Sequence, residues 1–108
     1  MRQFKIIYKI LSHLANSMDY KEVDTDYITA QSLGISEEMR NSIIILLLEN
    51  EYIKGVEVKE YVHSTKPTIT NLNNIKITLK GLEYLEENTT MKKLYNLAKG
   101  IKDTTPFI

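Results

Sequence analysis

A chain of 108 residues with 43% hydrophobic and 26% charged residues and a formal net charge of zero is one globular domain's worth of material, burying roughly two thirds of its unfolded surface around one core. The absence of cysteine excludes disulfides, thiolate nucleophiles and cysteine-ligated zinc or iron–sulfur centres. The longest apolar run, Ile43 to Leu48, is far short of the ~20 residues of a membrane span. The start, Met1-Arg2-Gln3-Phe4-Lys5, lacks the apolar segment of a secretory signal, so a cytoplasmic protein with no membrane partner is expected.

In chain order, Phe4, Ile7, Leu11, Leu14, Ala15 and Met18 recur at helical spacing. Ile6 and Ile10 widen this stripe, and Lys5, Lys9, Ser12 and Asn16 form its wet edge. A first helix of about four turns is predicted. Residues 19–26 are polar and acidic without periodicity and read as a loop, after which Tyr27-Ile28 could form a very short strand. Thr29 is placed to cap a short helix that ends at Gly34, and Ser36 to cap a third helix reaching about Asn50. Glu37 and Glu38 suit the positive end of that third helix's dipole. Helix, glycine turn, helix is the helix-turn-helix pattern.

Val56, Val58 and Val62 alternate with charged residues as in a half-buried strand. Residues 63–74 read as a long polar loop, and Ile75-Lys76-Ile77 as the returning strand of a hairpin. Thr78 then caps a fourth helix with Leu79, Leu82 and Leu85 inward. Asn88-Thr89-Thr90 breaks it, and Met91, Leu94, Leu97, Ala98 and Ile101 define a fifth. The expected fold is α+β, a winged helix-turn-helix of three helices, a two-stranded wing hairpin and two C-terminal helices. Residues 1–103 are expected to form a single domain, with 104–108 as a flexible tail.

Several segments resemble, in order, the YjcQ family. They are Phe4-Lys5-Ile6-Ile7-Tyr8-Lys9-Ile10-Leu11, Leu33-Gly34-Ile35-Ser36-Glu37-Glu38 and Glu51-Tyr52-Ile53-Lys54-Gly55-Val56-Glu57. Ile77-Thr78-Leu79-Lys80-Gly81-Leu82-Glu83-Tyr84-Leu85-Glu86-Glu87-Asn88 and Met91-Lys92-Lys93 continue the match. The resemblance covers nearly the whole chain and implies a small winged-helix protein of Firmicutes and their prophages. That family has no established activity, so the resemblance implies a fold and no function.

Winged-helix proteins commonly place the third helix in the DNA major groove and the wing on the backbone. On a helical wheel, setting Met39, Ile43, Leu46, Leu47 and Asn50 inward leaves Glu37, Asn41, Ile44, Ile45 and Leu48 facing away. Only Asn41, flanked by Arg40, suits base reading there, and Glu37 and Glu38 would repel phosphates. A helix apolar on every side is usually buried, so Ile44, Ile45 and Leu48 are expected under the fifth helix or another subunit. The wing is the better candidate. Lys54, Lys59, Lys66 and Lys76 flank a loop of Ser, Thr and Asn able to hydrogen-bond phosphates. A solvated loop on an ordinary hairpin accounts for the same residues.

Charge is distributed in blocks: residues 1–18 carry +3, residues 19–51 carry −6 and residues 52–80 carry +3. A zero total is unlike the positive excess of most dedicated nucleic-acid binders. His13 and His63 have no metal-ligand spacing, and Asp19, Glu22, Asp24 and Asp26 lack the glycine and terminal glutamate of a calcium loop. The four glycines are dispersed, so no phosphate-cradling loop is encoded. No enzyme activity, cofactor, metal or small-molecule substrate is expected. Two readings remain open. One is a DNA-binding regulator contacting double-stranded DNA through Arg40, Asn41, Lys54, Lys59, Lys66 and Lys76. The other is a protein-interaction module, with a homodimer or another protein as partner.

Overall fold

The computed structural model describes residues 2–60 and 66–88, together with Lys93 and Leu97. Its helices are α1 (Arg2–Asn16), α2 (Ala30–Leu33), α3 (Glu37–Glu49) and α4 (Leu79–Glu87). Between α3 and α4 run strands β1 (Ile53–Lys54), β2 (Glu57–Lys59), β3 (Thr68–Thr70) and β4 (Lys76–Ile77). Helix α1 buries Ile6, Ile10 and Leu14, spaced four apart along one ridge, with Tyr8, Leu11 and Ser12 beside them. That stripe is rotated from the predicted one, for Phe4 and Met18 stand exposed and Ser12 is buried. Apolar residues circle more than half of α1. Its contacts with α3, β4 and α4 therefore decide which of them face inward.

The two caps of the helix-turn-helix form as the sequence predicts. Thr29 Oγ1 accepts from the Ser32 N–H at 3.1 Å, and Ser36 Oγ from the Met39 N–H at 3.1 Å. Both helices end in the same motif, in which the two residues after the last turn reach back to its carbonyls. In α2 the Ile35 N–H bonds Ala30 O at 3.0 Å and the Gly34 N–H bonds Gln31 O at 3.1 Å, with Gly34 at φ 70°. In α3 the Tyr52 N–H bonds Leu47 O at 2.9 Å and the Glu51 N–H bonds Leu48 O at 3.1 Å. There the left-handed residue is Glu51, at φ 63°, a conformation that costs about 1–2 kcal/mol without glycine. The strained turn is held from outside, since its Glu51 carbonyl accepts Thr78 Oγ1–H at 2.6 Å and the Tyr52 carbonyl accepts the Thr78 N–H at 3.1 Å.

Two expectations before β1 are corrected. Tyr27-Ile28 belong to a 3-10 turn over Thr25–Ile28, not a strand. The Asp24 carboxylate accepts the Asp26 N–H at 3.1 Å, a local bond that starts the turn and carries Ile28 into the core. In α3 the buried residues are Ile43, Ile44 and Leu47. Ile44 is 0% exposed, inside the chain's own core, whereas Leu46, predicted inward, is 50% exposed. A run of six consecutive aliphatics satisfies almost any rotation of the wheel, so the sequence could not choose between them.

The wing is a ribbon paired in two stretches. β1 and β4 are antiparallel with Ile53 opposite Ile77 and Lys54 opposite Lys76. Further out, β2 and β3 pair Glu57 with Thr70, Val58 with Ile69 and Lys59 with Thr68. Between the stretches Gly55 adopts φ 91°, and a Cβ at that position would land on the Asn74 carbonyl oxygen. Leu72–Asn74 make a 3-10 turn on the opposite side, and Val56 and Ile75 drop into the core at the break. The predicted polar loop is thus corrected over residues 68–74 to a strand and a turn. Thr68-Ile69-Thr70 already carried the alternation of a strand.

Thr78 caps α4 by accepting the Gly81 N–H at 3.1 Å. Gly81 is pressed against the ribbon, where a Cβ would stand 2.5 Å from the Tyr52 carbonyl oxygen and 2.6 Å from Ile77 Cγ1. Leu82, Tyr84 and Leu85 pack on the core, with the Tyr84 ring 5.4 Å from that of Tyr52. Leu79, predicted inward, is exposed. The fifth-helix prediction falls outside the described residues apart from Lys93 and Leu97, both helical and exposed. The architecture is a winged helix-turn-helix, its core shared by α1, the Thr25–Ile28 turn, α2, α3 and the inner stretch of the wing.

Candidate nucleic-acid interface

Arg40 and Asn41 on α3 are both half-buried and turned to the protein itself. The Arg40 Nε–H donates to Asn41 Oδ1 at 2.8 Å, and Nη1 donates to the Ile28 carbonyl at 3.2 Å. The guanidinium thereby ties α3 to the 3-10 turn before α2 and satisfies a carbonyl at that turn's end. The solvent face of α3 is left to Glu37, Glu38, Ser42, Leu46 and Glu49. Three carboxylates and no cation among these α3 side chains disfavour approach to phosphates, and none of them offers the paired donor and acceptor that reads adenine or guanine.

The four wing lysines fall into three situations. Lys66 Nζ lies 2.5 Å from Glu38 Oε1, an exposed ion pair that joins the wing to the first turn of α3. The hydrogen bond from Lys66, reinforced by its charge, holds the Glu38 carboxyl below the usual carboxylate range. Lys59 is exposed on β2 opposite Thr68. Lys54 and Lys76 stand directly opposite each other on the exposed face of β1 and β4, while their neighbours Ile53 and Ile77 fill the buried face. Opposed like charges at this spacing are destabilising. Among the described residues, Lys54, Lys59 and Lys76 have no ion pair.

Two clefts flank the loop that joins α1 to α2. One, of about 470 Å³, lies between residues 14–23 and the base of the wing and is lined by Lys21, Lys54 and Lys76 together with Asn73 and Asn74. Lys21 is the residue that sequence reasoning passed over, because it sits in a strongly acidic block and only the chain's path brings it to the wing. The other cleft, of about 670 Å³, is lined by Lys9, His13, Tyr20 and Tyr27 among others. There His13 Nε2 is 2.9 Å from the Asp24 carbonyl oxygen, and its ring stacks 4.9 Å from that of Tyr27. His63 lies outside the described residues. Among the described residues no group of three or more His, Asp or Glu could hold a metal ion, and no helix is long and apolar enough to cross a membrane.

The structure therefore brings Lys54 and Lys76 together, adds Lys21, ties Lys66 to α3 and leaves Arg40 and Asn41 apart from all of them. No curated protein and no solved structure matches the chain. The family model described as YjcQ protein matches residues 8–104, which takes in every element from the middle of α1 through α4. The chain belongs to the YjcQ family.

Proposed function

We propose that this winged-helix domain is a non-enzymatic regulator that contacts double-stranded DNA through the backbone-facing lysines of its wing, with α3 held out of the major groove. One observation carries the reading. Three of the four wing lysines, Lys54, Lys59 and Lys76, are exposed without an ion pair among the described residues, whereas α3 presents carboxylates. Phosphate contacts of this kind give affinity with little sequence preference. The test is fluorescence anisotropy with a labelled AT-rich duplex, repeated as salt is raised. Binding at 50 mM salt that weakens steeply with salt supports the reading, and no binding at 50 mM salt ends it.

A second reading is favoured by the same acidic face. Glu38, Glu49 and exposed Leu46 on α3 suit a basic protein partner, with apolar contact at the centre and charge around it. Gel filtration and capture with neighbouring gene products check it. A monomer that recovers nothing counts against it, and recovery that survives Glu49→Lys excludes α3 as the docking surface.

A further inference from the structure

We infer that Lys21, Lys54 and Lys76 form a clamp for a single phosphate group in the cleft at the base of the wing. The inference rests on the wing reading above and names the place where the backbone is gripped. The register of β1 and β4 sets the backbones of Lys54 and Lys76 opposite each other, anchored beside Ile53 and Ile77, both buried. Neither lysine makes an ion pair among the described residues. The chain then adds a third cation, Lys21, from the loop after α1, to the same cleft.

The rest of the lining fits an anion. Leu14, Val23, Ile75 and Ile77 form an apolar floor, and Asn73 and Asn74, both exposed, supply amide donors at the rim. Glu22 is the one carboxylate among the lining residues, so the cleft is net positive although one wall comes from the most acidic block of the sequence. Three ammonium groups around one oxyanion match the way lysines bind phosphate, as point charges without the planar fork of arginine. Lys66 cannot share this role while it is paired with Glu38.

The ligand chemistry is a phosphate oxyanion, whether a phosphodiester of duplex DNA or free inorganic phosphate, and two arms separate these sources. The first measures duplex affinity for the wild-type protein, Lys21→Ala, Lys21→Ala/Lys54→Ala/Lys76→Ala and Lys5→Ala, with thermal melts to confirm that each folds. Lys21→Ala is expected to weaken binding about fivefold and to lower the log–log salt slope by about one. The triple variant should lose about a hundredfold, and Lys5→Ala should be unchanged. The second arm titrates inorganic phosphate against sodium chloride of equal ionic strength while the amide resonances of Lys21, Lys54, Asn74 and Lys76 are followed. Shifts confined to those amides, absent in the triple variant, support the clamp.

Duplex binding that is indifferent to Lys21→Ala overturns the clamp while the wing reading stands. Absent duplex binding with phosphate-specific shifts at the cleft ends the wing reading and leaves a clamp for free phosphate. Neither duplex binding nor phosphate-specific shifts refutes both.

Discussion

The solvent face of α3 and the base of the wing are opposite in charge and opposite in how their charges are treated. On α3 the lone arginine is turned inward and hydrogen-bonded to the Ile28 carbonyl, and Glu38 takes the nearest wing lysine as its partner. At the wing base the register of β1 and β4 sets two lysines against each other, and the loop after α1 adds a third to the cleft. Both regions belong to one chain whose net charge is zero. A zero sum thus says nothing about whether a cationic site exists. The helix that gives the helix-turn-helix its name is here a core element with an acidic exterior, and cation density is displaced to the ribbon beside it.

The largest expected effect probes the inner side of α3. Ile44→Ala should cost about 3–4 kcal/mol in urea denaturation, because the deleted atoms leave a void in a packed core. Leu46→Ala, from the exposed side, should stay within about 0.5 kcal/mol of wild type. Equal costs would mean that α3 is rotated from the orientation described.

A second pair addresses the wing. Gly55→Ala combines a positive φ with overlap on the Asn74 carbonyl and should cost about 2–3 kcal/mol. Gly34→Ala, with nothing within 4 Å of the added Cβ, should cost only about 1 kcal/mol from backbone strain. If both cost the same, the kink between the two ladders is not what positions the wing.

Smaller effects test the electrostatic contrast. Glu49→Lys should change duplex affinity by less than about twofold at 150 mM salt, since charges outside the interface are screened beyond ~8 Å. An increase above tenfold would put α3 at the DNA. The least effect is the titration of Glu38. Its folded pKa is depressed by Lys66, so the pair contributes above the unfolded carboxylate value and is lost as pH falls through the lowered folded one. Carboxyl NMR should show a midpoint below that of an ordinary glutamate, returning to the usual range in Lys66→Ala or in high salt. An unchanged midpoint in Lys66→Ala would remove the link between the wing and α3.

The winged-helix order was legible because its signals are local. Thr29, Ser36 and Thr78 could be read as caps because the bond each makes lies within three residues, and Gly34 as a stop because a left-handed residue needs no partner beyond its own turn. Facing was less legible. Phe4, Met18, Leu46 and Leu79 were expected inward and are exposed, while Ile44, expected on the far face under the fifth helix or another subunit, lies in the main core. In each case the helix has more apolar positions than one face can cover, so periodicity leaves the rotation open. Of the candidate site residues, the sequence could see the wing lysines as a set but not that Lys66 would be paired, that Lys54 and Lys76 would be opposed, or that Arg40 would point inward.

By itself, then, the order of residues determined the kinds of element, their caps and their succession, since these rest on hydrogen bonds and side-chain repeats a few positions long. Only the tertiary structure decided which side of each helix meets the core and which charges become neighbours. Those outcomes depend on contacts between residues far apart in the chain, such as Lys66 with Glu38 and Lys21 beside Lys54 and Lys76. Coulomb energy follows distance in space, and no separation along the sequence reports it.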